Sequence, residues 1–287
     1  MKKRLILILL LLIPLTLAAE ESPFQVSEGV VSVADTAVKA WDDLGEPLEG
    51  ELKPFRPSYF LLWGKSSRFG DTRQGEEAQF QLSFQKELTE LYGWKVIGAY
   101  TQNSFWQLFY IEDSRPFRET NFAPQAFIKS PYFFESDFSL AFEAGYMHQS
   151  NGGREPLSRS WDRLFVGSYH KGDHFQFNHR FWRRNKEQAK AYDGDPLGDE
   201  NPDIEDYYGV QEGHFQWNYE DYQIYIKERY NFTEQQGMIE TQLTGNIPKS
   251  SLRWLIHHFT GYGESLADYN HSLTKYGVGV IFSQGKL

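Results

Sequence analysis

Hydrophobic and polar residues alternate along most of this chain from Ser58 onward. The clearest stretch is AQFQLSFQKEL (78–88), where Phe80, Leu82 and Phe84 alternate with Gln79, Gln81, Ser83 and Gln85. A helix would spread these two sets around its surface, whereas successive strand residues point to opposite faces. A second run, FSLAFEAGYMHQS (138–150), places Phe138, Leu140, Phe142, Ala144 and Tyr146 on one side. His148 and Ser150 continue the parity of that side.

The same pattern predicts strands from Tyr59 to Trp63 and over 78–88, then at about 94–108, 122–133, 138–149, 161–170, 173–183, 206–217, 221–231, 236–246, 251–261 and 273–283. That makes twelve, an even number, as single-chain bacterial barrels require. Breaks near 89–93, 134–137, 171–172, 218–220 and 247–250 are short. Those near 64–76, 109–121, 150–160, 184–205 and 262–272 are long, with 232–235 the exception. Short periplasmic turns alternating with long outer loops give an all-β, twelve-stranded antiparallel transmembrane β-barrel over 57–287. A β-sandwich would explain the alternation but not the short–long rhythm. Both chain ends then lie in the periplasm, and the 150–160 loop falls at the outer rim. The last stretch, TKYGVGVIFSQGKL, fits less well, because such barrels usually finish on an aromatic residue and this chain ends on Leu287.

Composition agrees with a barrel. Aromatic residues make up 17% of the chain, yet mean hydropathy is -0.58. Only every second strand residue need face lipid, so aromatic load and overall polarity coexist. The opening MKKRLILILLLLIPLTLAAEESP has a basic head at Lys2–Arg4, an apolar run and small residues at Ala18–Ala19, which predicts a signal peptide over 1–19. Its run is short for a membrane helix and is interrupted by Pro14. Residues 20–56 show no sustained period and read as a periplasmic N-terminal segment. No cysteine is present, so no disulfide framework is available. A formal charge of -10 argues against a nucleic-acid partner. The one basic cluster, Arg180, Arg183, Arg184 and Lys186, reads as a basic strand end.

The chemistry concentrates after Tyr146. On a membrane barrel the apolar side of 138–150 faces lipid, so His148 and Ser150 would present a base and a nucleophile at the membrane surface. Gly152 and Gly153 follow, allowing the backbone to approach a ligand closely and aim an N–H at developing negative charge. Asp162 opens the next strand, from which it can approach His148 and fix its tautomer. From spacing alone a rim histidine bonded to its own loop is the default reading, since a His and a Ser two apart occur often by chance.

The segment GYMHQSNGGREPLSRSWDRLF resembles the active-site segment of the outer membrane phospholipase A family, the calcium-dependent lipases of Gram-negative outer membranes. Further similarities follow in order: YTQNSFWQL (100–108), SRPFRETNFAPQ (114–125), NPDIEDYYG (201–209) and GYGESLADYN (261–270). The resemblance implies a twelve-stranded barrel that hydrolyses phospholipid acyl esters, with Ser150 as nucleophile, His148 as general base and the Gly152 N–H as an oxyanion donor. It implies a calcium-bridged homodimer, with the Gly153 carbonyl and Ser158 hydroxyl as ligands and Ser114 supplied by the second copy. It also places Gln102 on the dimer's lipid-facing surface, where pairing across the two-fold would satisfy its amide. Two departures stand out. The family carries Asn as the third catalytic residue where this chain has Asp162, and Gly153 replaces a residue with a side chain.

Other candidates are weaker. The acidic loop DGDPLGDENPD (193–203) lacks the spacing of a calcium loop and reads as solvated. His257 and His258 are adjacent and would face opposite sides; His170, His174 and His179 have no evident carboxylate partner. A passive barrel or channel is the competing function. A soluble esterase would need the G-x-S-x-G elbow, which is missing here.

Overall fold

The computed structural model describes residues 51–70, 73–134, 138–154, 156–192, 195 and 198–283. The expected signal peptide, most of the 20–56 segment and the final four residues lie outside the described residues. The strands are β1 (Lys53–Pro54), β2 (Ser58–Ser66), β3 (Glu76–Leu91), β4 (Trp94–Trp106), β5 (Phe117–Lys129), β6 (Phe138–Ser150) and β7 (Ser160–Gly172). They continue as β8 (Phe175–Asn185), β9 (Gln211–Tyr219), β10 (Tyr222–Asn231), β11 (Gln236–Asn246), β12 (Arg253–Tyr262) and β13 (Ser272–Ser283). Each of β2 to β13 pairs antiparallel with its neighbours in sequence, and β13 returns to β2. The result is a closed barrel of twelve strands, in which β1 only extends the pairing along β3.

Alternation along each strand sorts residues between lipid and lumen. In β6, Phe142 is 48% exposed while Glu143 next to it is 3% exposed. Glu143 faces inward and holds Arg180 through two bonds of 2.6 and 2.8 Å. A closed barrel leaves no free edge, so the backbone is satisfied within lipid. The outer surface carries Leu82, Phe84, Ile128, Phe142, Leu164, Val166, Phe181, Ile239, Ile256 and Val278. Inside, charged residues pair. Lys275 is fully buried, with Nζ 2.6 Å from Glu77 and 2.9 Å from Glu264. Among the described residues no helix is long and apolar enough to cross a membrane; the chain crosses with strands.

The long loops expected from the sequence lie at one end, at 67–75, 107–116, 151–159, 186–210 and 263–271. Two strands begin about five residues from where the sequence reading put them, and the others begin within about two. The strand expected over 122–133 is β5, Phe117–Lys129. Its start was masked by a bulge opposite Phe105 and Trp106 that turns Arg118 inward, onto Glu77 and Asp268. The strand expected over 206–217 begins at Gln211, because Ile204–Tyr208 forms a short helix, α1, closed by Gly209 at φ 66°. Ile204 and Tyr208 are buried there, and Tyr208 meets Trp161 edge-on at 5.4 Å. Ordered barrel contacts also begin before residue 57: Phe55 lies in the lumen against Phe127, and Arg56 donates to Asn178 at 2.9 Å.

Candidate active site

His148 and Asp162 are direct cross-strand partners on β6 and β7, so their side chains share the lipid-facing side. His148 Nδ1 lies 2.8 Å from Asp162 Oδ1, with the His side chain 38% and the Asp side chain 18% exposed. The Tyr146 hydroxyl interacts with the same carboxylate. A carboxylate on Nδ1 fixes the tautomer that leaves Nε2 free to accept a proton. Ser150 ends β6 on the same face, paired with Ser160 on β7 and Phe122 on β5. Among the described residues neither the Ser150 hydroxyl nor His148 Nε2 has a hydrogen-bond partner. The expected base and nucleophile are thus brought to one face but not joined, as is common for catalytic pairs without substrate.

The loop after Ser150 is built around Asn151, a buried residue that the sequence reading passed over. Its Oδ1 accepts from the Gly153 and Arg159 N–H groups, both at 3.0 Å, and its Nδ2 donates to the Leu157 carbonyl at 2.7 Å. This single amide closes 151–159 into a tight hairpin loop. Gly152 adopts φ 59°, a left-handed conformation that glycine takes without strain, and its N–H is unpartnered among the described residues. The only hint in the sequence was Asn before Gly-Gly, a pattern that marks a turn.

On the lumen side the residues between the candidate catalytic ones hold the strands in register. Gln149 Oε1 accepts from Trp161 Nε1 at 3.1 Å and from Arg163 at 2.9 Å. The Arg163 guanidinium stacks on Trp161 at 3.6 Å. His148 and Asp162 therefore project from a stretch of sheet locked from behind.

Gly153 and the neighbours of Ser158, Leu157 and Arg159, are held by Asn151, and the Gly153 carbonyl and Ser158 hydroxyl accept no bond among the described residues. Neutral oxygens at a wet rim suit a hard cation such as calcium, held weakly. Among the described residues no group of three or more His, Asp or Glu is placed to hold a metal, so a cation would depend on such oxygens. Ser114 is exposed on the 107–116 loop, in a left-handed conformation at φ 55°. Gln102 faces lipid as expected, but its amide is already engaged within the chain, accepting from Tyr100 at 2.9 Å and donating to Ser104 at 3.1 Å.

The acidic loop is a correction to the solvated reading. Asp199 holds Arg184 at 2.6 Å, Asn201 is fully buried, and Asp203 bonds the Tyr269 hydroxyl. His257 points inward to Glu240 at 3.2 Å, while His258 packs outward against the Tyr276 ring in a tilted contact.

A family model for phospholipase A1 matches residues 50–282 of this chain. Phospholipase A1 of Escherichia coli K12 is 35% identical over 231 residues, covering 75% of this chain and 72% of that protein. A phospholipase A1 relative from Neisseria meningitidis serogroup B is 34% identical over 224 residues, but the match covers only 56% of its length. The solved dimer of Salmonella typhi outer membrane phospholipase with bound calcium superposes with a TM-score of 0.72 at 28% identity, covering 82% of this chain and 94% of that one. The chain belongs to the phospholipase A1 family of esterase-type bacterial outer-membrane β-barrels.

Proposed function

We propose that this chain hydrolyses acyl ester bonds of phospholipids at the lipid-facing outer rim of the barrel, by a Ser150–His148–Asp162 triad. The observation that carries this reading is the 2.8 Å bond from His148 to Asp162 on the lipid side, with Ser150 next on the same face. Ser150 Oγ attacks the ester carbonyl carbon while His148 Nε2 takes its proton. Negative charge gathers on the former carbonyl oxygen, within reach of the Gly152 N–H. Collapse expels the glyceryl oxygen, which recovers the proton from His148 and leaves as lysophospholipid. Water then attacks the acyl–Ser150 ester with His148 again as base, and fatty acid departs.

Calcium would be held by the Gly153 carbonyl and Ser158 hydroxyl together with Ser114 of a second copy, and when bound would supply positive charge near the oxyanion site. That the Salmonella relative is a dimer with bound calcium supports a calcium-dependent homodimer here. The alternative of a passive channel is disfavoured by the lumen, where a cavity of about 110 Å³ is lined by polar and charged side chains such as Arg180, Glu212 and His214.

The test is fatty-acid release by refolded protein, with calcium and with chelator, for wild type and Ser150→Ala. Calcium-dependent release that vanishes in the variant supports the proposal. No release from a folded, calcium-loaded dimer sinks it.

A further inference from the structure

The basic cluster singled out in the sequence divides between the two faces of β8. Trp182 and Arg184 turn into the lumen, while Phe181, Arg183 and Asn185 face outward. Arg184 is consumed by the outer loops, bonding Asp199 and the Asn201 and Pro202 carbonyls at 2.6 to 3.2 Å. Arg183 and Lys186 are exposed, and among the described residues neither has an ion pair or hydrogen bond. An unpaired arginine on the lipid side of a barrel stays at the interface, where it meets lipid phosphates.

Register places these cations beside the triad. Asn185 pairs with Asp162, which pairs with His148; Arg183 pairs with Leu164, which pairs with Tyr146. Strands lie about 4.8 Å apart, so β8 runs roughly 10 Å to the side of β6. That is within the span of one lipid headgroup and an extended arginine. Here a cavity of about 430 Å³ is lined by Leu164, Arg183, Arg184, Asn185, Lys186 and Glu205. Leu164 gives it an apolar wall, 60% exposed. Glu205, from α1, brings a carboxylate that has no cation partner among the described residues.

We propose that this groove is the headgroup subsite for a zwitterionic glycerophospholipid, its phosphate on Arg183 and Lys186 and its ammonium toward Glu205. This rests on the hydrolase reading above and names its substrate class. Two free cations match a phosphate, and a free carboxylate beyond them favours an ammonium-bearing headgroup over an anionic one. The groove and the His148–Asp162 pair lie on one outward face, with β7 between β8 and β6.

The experiment compares hydrolysis of phosphatidylethanolamine, phosphatidylglycerol and a phosphate-free diacylglycerol in mixed micelles by the calcium-loaded, refolded protein. Arg183→Gln and Lys186→Gln are each expected to raise KM for phosphatidylethanolamine about tenfold, the loss of a charge-assisted hydrogen bond, with kcat kept and diacylglycerol unaffected. Glu205→Gln is expected to move preference toward phosphatidylglycerol. An unchanged KM, or an equal effect on diacylglycerol, would overturn the groove while leaving the hydrolase standing. A wild type inactive on all three lipids would defeat the hydrolase reading instead. In that event binding of labelled phosphatidylethanolamine decides the groove by itself: affinity falls about tenfold in Arg183→Gln if it is right and is unchanged if it is wrong.

Discussion

Asn151 Nδ2 donates to Glu119 Oε1 across 3.2 Å, joining residues 32 positions apart. The same oxygen accepts from Asn121 at 2.6 Å and from the Ala267 N–H at 2.9 Å, while Asn121 accepts from the Leu266 N–H at 3.1 Å. The loop that follows Ser150 is thereby fastened to β5 and to the 263–271 loop that folds into the barrel mouth. Three segments that resembled one family piecewise in sequence meet here as one structure.

Replacing Asn151 by alanine removes the amide bonds to Gly153, Leu157 and Arg159 that span the 151–159 loop, and leaves the Arg159 guanidinium on the Pro156 and Ser158 carbonyls. A shift of about 1 Å in a catalytic group can cost about a hundredfold in rate. Asn151→Ala is expected to lower kcat by roughly that factor while the protein still migrates as a folded barrel on unheated gels. A kcat within twofold of wild type would show that the loop holds its shape without the amide.

Asp162 orients His148 through a single bond. Asp162→Ala is expected to reduce kcat by about 10²–10⁴-fold, the range for loss of a positioned catalytic group. Asp162→Asn should retain far more activity, because an amide oxygen can still accept from Nδ1–H. Equal losses in the two variants would mean that charge, rather than orientation, is what Asp162 contributes.

At Gly152 the space for a Cβ is adequate, its nearest neighbour being the Phe122 ring at 3.4 Å, but the backbone is left-handed. Gly152→Ala is therefore expected to cost about 1–2 kcal/mol through conformation alone. Chemical unfolding would register that loss. A much larger one would point to a clash that this geometry does not contain.

Lys275 is buried between Glu77 and Glu264. Lys275→Met is expected to destabilise the barrel by about 3–5 kcal/mol, since it leaves a buried carboxylate short of its cation. Adding Glu77→Gln should recover part of this. Urea unfolding in lipid vesicles measures both, and a neutral single variant would refute the ion-pair account.

Calcium removal by chelator should abolish hydrolysis and lower the dimer fraction together. Ser158→Ala is expected to shift the calcium midpoint upward by roughly tenfold, a typical cost of losing one group around a metal. Sedimentation alongside activity would separate a metal effect from a folding one.

Much of this molecule was legible as a linear pattern. Phe80, Leu82 and Phe84 against Gln79, Gln81 and Ser83 give a strand between lipid and a wet lumen, and the same parity carries His148 and Ser150 to the lipid face. These are properties of adjacent residues, fixed by the period of an extended chain. α1 escaped because Tyr207, Tyr208 and Val210 are strand-favouring residue types, and a helix of five residues is too short to establish its own period.

Register and long-range pairing belong to the tertiary structure. Which residue of β7 stands opposite His148, which carboxylate anchors Asn151, and why Arg184 turns inward while Arg183 stays free depend on contacts between distant segments. The sequence by itself determined the barrel and the face on which the chemistry sits, because strand alternation is local. Only barrel closure decided the geometry of that chemistry, because a slip of one residue between β6 and β7 would turn Asp162 into the lumen and leave His148 without its partner.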